Sequence, residues 1–266
     1  MKQNKYFNTG RFASLFRNDL LINQKTYLFT LAGLGIAIYA FTYFIMRTSR
    51  GNFSRPDSYI PLFMILILAI GAFIGTAFPA LTNQIKTSNY LLSPGSTFEK
   101  YLVQFMIRII LFIPIAFVLF WIGTHLAKAS MVADPRINFD PSSIPDFHFS
   151  DLFNNAHLTI IDKLAIVLSI FSAASVLFAG SVYFTRFALV KTLIVSGIMF
   201  GAVLLSFALF SHIFYPTETH GLHIELKIYE ITENLYNVQL AAYLLGGLSW
   251  IFFLVFGYFK LKEKEV

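Results

Sequence analysis

Six stretches of this chain, at 27–46, 59–81, 101–123, 164–184, 192–214 and 239–259, are long and almost wholly apolar. Each has about the 20 residues that a helix needs to cross the hydrocarbon core of a bilayer. Inside such a core every backbone N–H and C=O must pair within the protein, and a helix achieves this within one segment. Composition points the same way, with 56% hydrophobic and only 13% charged residues, where soluble domains carry about 25% charged residues. A chain this apolar is excluded from the disordered class, which needs low hydrophobicity and high charge. The expected fold is all-α and integral to the membrane, with six transmembrane helices and an N-terminal amphipathic interfacial helix. Residues 1–26 form an amphipathic cytoplasmic-face segment, and 27–266 form a single six-helix transmembrane domain.

Lysine and arginine between the spans set the expected orientation. With the N-terminus inside, twelve such residues fall on the cytoplasmic side and seven on the other, leaving Arg108 within the third span. Arg47, Arg50 and Arg55 dissent from the rule, but the balance places both termini in the cytoplasm. The acidic residues of 134–151 and 218–233 then lie outside. In residues 1–26, Phe12, Leu15, Phe16 and Leu20 recur at helical spacing while Arg11, Arg17 and Asn18 fall elsewhere, the pattern of a helix lying in a membrane interface. A short helix is expected around 222–236, and an irregular outer loop over about 125–160.

Missing motifs narrow the chemistry. No phosphate-binding G-x-x-x-x-G-K-[ST] loop, G-x-S-x-G elbow or H-E-x-x-H helix occurs, so no catalytic, cofactor-binding or metal residues are assigned. No Asp or Glu lies in the middle of a span, whereas proton-coupled carriers usually keep ionisable groups there. If such a protein drives uphill movement, another chain must supply the energy. All six histidines, His125, His148, His157, His212, His220 and His223, map to the outer side. His220 and His223 with Glu225 have metal-ligand spacing, but chance spacing is the preferred reading. Arg108 lies about 9 Å from the inner end of its span at 1.5 Å per residue. It is expected to snorkel to the inner headgroups, with a pathway contact as the other option.

Small residues mark close helix contacts. Gly71 and Gly75, and again Gly197 and Gly201, form G-x-x-x-G pairs, either within the chain or between subunits. Pro79 and Pro114 predict kinks.

The most distinctive segment is NQIKTSNYLLSPGSTFEKY, residues 83–101. Its first half has the length of a short surface helix, sufficient to dock a cytosolic partner. Ser93-Pro94-Gly95 reads as a turn, and Ser96-x-x-Glu99 as a capping box that opens the third span. Lys100 follows at headgroup level.

The amphipathic RFASLFRNDLLINQKTY, the six spans and LLSPGSTFEKYL together resemble the permease subunit of the type-2 ABC exporter family, in its compact six-helix bacterial form. The resemblance implies a coupling loop to a separate cytosolic ABC ATPase, here Lys86, Ser88, Asn89, Tyr90, Ser96, Glu99 and Lys100. It further implies a second permease subunit, as homo- or heterodimer, and residence in the bacterial cytoplasmic (inner) membrane. The partners expected are therefore that ATPase, the second permease subunit and the lipid bilayer, with no nucleic acid and no cofactor in this chain. ATP would be hydrolysed by the partner, so the chain itself is not expected to be an enzyme. The alternative is a non-transporting membrane scaffold, sensor or assembly factor. An enzyme using the outer histidines ranks below both.

Overall fold

Apolar residues spaced three and four apart build every long element. The computed structural model describes residues 7–49, 56–134, 144–150, 160–214, 230–232 and 235–264. Helix α1 (Thr9–Ile22) starts at Asn8, whose side chain accepts from the backbone N–H groups of Gly10 and Arg11. After a break at Asn23 the chain rises into α2 (Gln24–Thr48). A short turn at Pro56–Tyr59 leads into α3 (Ile60–Ile74), and α4 (Gln84–Leu92) follows. Then α5 (Thr97–Phe105) runs through a π-helical segment, Met106–Leu111, into α6 (Phe112–Ala133). The second half holds α7 (Ile160–Tyr183), α8 (Ala188–Phe214) and α9 (Asn237–Glu263).

Among the described residues, three helices are long and apolar enough to cross a membrane: Gln24–Thr48, the continuous Thr97–Ala133, and Asp162–Tyr183. Among the described residues, Ile60–Ile74 and the Ala188–Ala202 part of α8 are shorter apolar stretches. The second expected span is thus only partly helical. Gly75 closes α3, and Pro79 opens a separate 3-10 turn, Pro79–Thr82, because proline cannot donate to a continuing helix. Pro114 stands in the first turn of α6, directly after a change of helix type. The π-helical turn lies just before it, and such widening relieves the clash between a proline ring and the preceding turn. Helix α6 also runs on to Ala133, into the stretch expected to be an irregular loop.

Residues 230–232 and 235–236 form a small antiparallel strand pair, not the helix expected over 222–236. The rest of that stretch, and His157, His220, His223 and Glu225, lie outside the described residues.

The core draws mainly on α2, α3, α6 and α7, while α1 buries no residue fully. Leu62, Leu66, Ile70 and Phe73 of α3 meet Phe112, Ala116 and Phe120 of α6, all buried. The Phe73 and Phe112 rings stack with centroids 3.7 Å apart. Helices α2 and α6 pack closely: a Cβ on Gly123 would meet Ile38 Cγ2 at 2.8 Å. Tyr39 there donates to Ser130 Oγ at 3.0 Å. Helices α7 and α9 are joined by the Ser172 and Ser249 hydroxyls, 2.6 Å apart, and Tyr101 of α5 donates to Leu254 O at 2.7 Å. At one end of the bundle, residues 144–150 cover the α3 and α6 termini. Ile144 and Phe147 are buried, Tyr59 donates to Pro145 O at 2.9 Å, and Lys128 pairs with Asp146 at 2.8 Å.

The outer surface is apolar. Phe29, Phe44, Leu68, Ile198 and Phe200 are each more than 60% exposed. Water would penalise such a surface, whereas lipid tails match it, so the helices are consistent with a membrane protein.

The glycine pairs part company. A Cβ on Gly71 would lie 3.1 Å from Leu177, and one on Gly75 2.5 Å from Leu189. This pair therefore seats α7 and α8 within the chain. A Cβ on Gly197 or Gly201 would meet none of the described residues within 4 Å, so among them that pair sits on an open face.

Candidate functional site

The start of α5 gathers the residues singled out by the sequence. Ser96 caps the helix: its hydroxyl accepts from Glu99 N at 3.2 Å, and Glu99 Oε2 accepts from Ser96 N at 2.9 Å. Both halves of the capping box are present.

Glu99 does more than cap. Its side chain has no solvent exposure, and it also accepts from Asn8 N at 2.7 Å, Arg11 Nε at 2.6 Å and Arg11 Nη2 at 2.9 Å. A bidentate guanidinium and two backbone N–H groups saturate one carboxylate, which is the arrangement that makes burial of its charge tolerable. The hydrogen bond to Glu99 is also the main cause that holds the Arg11 guanidinium above its ordinary pKa. Arg11 is thus turned toward the protein, whereas the sequence pattern placed it off the packed face. Phe12, Leu15, Phe16 and Leu20 are half-buried, and Arg17 and Asn18 are exposed.

The turn before α5 lies against α1. A Cβ on Gly95 would come within 2.6 Å of Leu15 Cδ1, so glycine leaves room for the Leu15 side chain here. Phe7 links Phe12 and Phe98 at 5.7 and 6.2 Å, and Phe98 meets Tyr258 of α9 at 5.8 Å.

Lys100 turns into the protein. It is 3% exposed, and Nζ donates to Leu91 O at 2.6 Å and stands 5.9 Å over the Tyr90 ring. A cation here satisfies a carbonyl at the C-terminal end of α4, where helices leave acceptors unpaired. Tyr90 is half-buried beside Phe78, at 6.5 Å, while Ser88 and Asn89 are exposed. The Lys86 side chain lies outside the described residues.

A second polar cluster joins α1 and α2 to the π-helical segment. Asp19 accepts from Asn23 Nδ2 at 3.2 Å, Tyr27 OH at 2.7 Å and Gln104 Nε2 at 3.0 Å. Arg108 is 5% exposed, stacked 4.1 Å over Phe73 and 5.5 Å from Tyr27, and donates to Phe73 O at 3.2 Å. It stays inside the protein and does not snorkel. The wider π-helical turn accommodates this inward guanidinium, and such turns often occur at functional positions. Asp19, Tyr27 and Gln104 were not singled out from the sequence. Asp19 sits at the helical spacing of Phe12, Leu15 and Phe16, and a carboxylate on the packed stripe was the available signal.

Among the described residues no group of three or more His, Cys, Asp or Glu is placed to hold a metal ion. His125 stacks edge-on against Trp121 at 4.5 Å. Around the start of α5 the described polar side chains are engaged in capping and in joining helices. Together they form a mechanical joint: α4 leads through a tight turn into α5, and α1 is bolted across that turn. Comparison with known proteins finds no matching family model, no matching curated protein and no matching solved structure.

Proposed function

We propose that this chain is the membrane permease subunit of an ATP-driven exporter of the type-2 ABC kind. It crosses the bacterial inner membrane six times with both termini in the cytoplasm, and couples a separate ATPase to movement of a substrate. The observation that carries this reading is the Glu99 joint. One buried carboxylate ties α1 to the point where the α4 turn enters the longest helix, so a push on α4 must move α1 and α5 together. Exposed Ser88 and Asn89 are the contact face for the ATPase, while Tyr90 and Lys100 bind α4 to the bundle. The open face bearing Gly197 and Gly201 serves the second permease subunit.

The test is co-purification from native membranes followed by ATPase assay. Asn89→Arg should abolish transport-linked stimulation of the co-purified ATPase. Thermal stability should stay unchanged, because surface substitutions usually shift stability by less than about 0.5 kcal/mol. Full stimulation in this variant, or no ATP-hydrolysing partner at all, would reject the proposal in favour of a scaffold or sensor.

A further inference from the structure

A groove of about 870 Å³ opens between α4, the α7–α8 turn and the C-terminal end of α9. Its lining includes Thr82, Thr87, Ser88, Thr185, Arg186 and Lys264. Two cations thus share this space, and they are the groups matched to phosphate oxygens, since the Thr82 and Thr87 hydroxyls already donate to backbone carbonyls. Lys264 is fixed in place by donating to Val182 O at 2.5 Å. Arg186 is exposed and makes no ion pair among the described residues.

The surroundings are also basic. Lys260 lies 5.3 Å over the Tyr183 ring, and Lys191 lies 6.0 Å over Phe184. Lys260 is held by Glu263 at 2.5 Å. Burial, and then the charge of Lys260, hold the Lys264 ammonium below its ordinary pKa. An anion in the groove would offset both.

The rim is apolar. Leu92 lines the groove at 79% exposure, and Phe187, next to Arg186, is also 79% exposed. Phe187 takes a φ of 53°, a left-handed conformation that is strained for a non-glycine residue. It turns the chain sharply at the lip of the groove. A free phosphate has no use for such a rim, whereas a lipid places its headgroup among cations and its chains along apolar side chains.

We infer that this groove is a binding site for the phosphodiester headgroup of an anionic phospholipid from the adjoining leaflet. The inference rests on the cytoplasmic placement of this end of the bundle but not on the ATPase, and the permease alone suffices to test it.

The purified full chain is titrated with phosphatidylglycerol, phosphatidylcholine or glycerol phosphate, and bound lipid is read by native mass spectrometry and thermal shift. Each cation near a headgroup contributes roughly fivefold in affinity. Arg186→Gln with Lys264→Gln should therefore weaken phosphatidylglycerol binding by roughly 25-fold. Arg186→Gln alone, which breaks no hydrogen bond among the described residues, should weaken it roughly fivefold and keeps the test open if the double variant folds poorly. Arg17→Gln with Lys25→Gln removes the same charge elsewhere and should leave binding unchanged. Undiminished phosphatidylglycerol binding in the groove variants would overturn the site. Equal binding of phosphatidylcholine would overturn the charge selectivity, and equal binding of glycerol phosphate would overturn the lipid as ligand.

Discussion

Replacing Glu99 by alanine should release α1 from the bundle without unfolding it. The carboxylate is fully buried and accepts from Asn8 N, Ser96 N and two nitrogens of Arg11. Arg11 is partly solvated, with 32% of its side chain exposed, and can turn to water when its partner is removed. The two backbone N–H groups cannot turn. Each orphaned donor costs about 1–3 kcal/mol when buried. Both are half-buried, so the low end applies, and the sum is about 2–3 kcal/mol. At tenfold per 1.4 kcal/mol, that corresponds to roughly 30- to 150-fold more frequent opening of α1. Hydrogen–deuterium exchange reads this directly: peptides covering 7–22 should lose protection by that factor, those in α6 and α7 should not, and Glu99→Gln should fall between. Unchanged exchange over 7–22 in Glu99→Ala would refute the reasoning and reduce Glu99 to a local cap.

The glycine pairs should respond differently. Gly71→Leu with Gly75→Leu collides with Leu177 and Leu189 and should lower thermal stability and expression, whereas Gly197→Leu with Gly201→Leu should leave stability intact and shift the dimer to monomer in native mass spectrometry. The Lys128–Asp146 pair should show acid sensitivity. Its hydrogen bond from Lys128, together with the charges of Lys128, His125 and His148, holds the Asp146 carboxyl below its ordinary pKa. Its stabilisation is thus present above the ordinary carboxylate range and lost as pH falls below it. Exchange over 144–150 should accelerate in that window and in high salt, and Asp146→Asn should remove the pH dependence.

The helices were legible in the sequence because apolar length and period follow from one chain segment at a time. The Ser96–Glu99 capping box was legible for the same reason, since three residues of spacing contain both partners. What escaped was non-local. Asn8 and Arg11 stand 91 and 88 residues from Glu99, and nothing in a helical wheel pairs them. The positions of Arg108 and Lys100 also depended on neighbours. Single-span reasoning sends a cation toward water, but Phe73, Tyr27 and the Leu91 carbonyl supply closer partners. Helix α3 ended early because Gly75 and Pro79 act on the backbone, while a hydropathy reading of 59–81 sees only apolar side chains. Asp19 was readable in principle as a carboxylate on the packed stripe of α1, yet its partner Gln104 lies 85 residues away.

The central claim is that the exposed face of α4 meets a cytosolic ATPase. The native chain has no cysteine, so a single cysteine at Ser88 or Asn89 gives a unique attachment point for a short photo-crosslinker. In native membranes, the account predicts a crosslink from either position to an ATP-hydrolysing subunit, its yield changing when ATP is trapped. A cysteine at Ser14, on the exposed side of α1, should crosslink markedly less. Crosslinks from Ser88 and Asn89 to lipid alone, or to the same partners as Ser14 with no response to ATP, would contradict it.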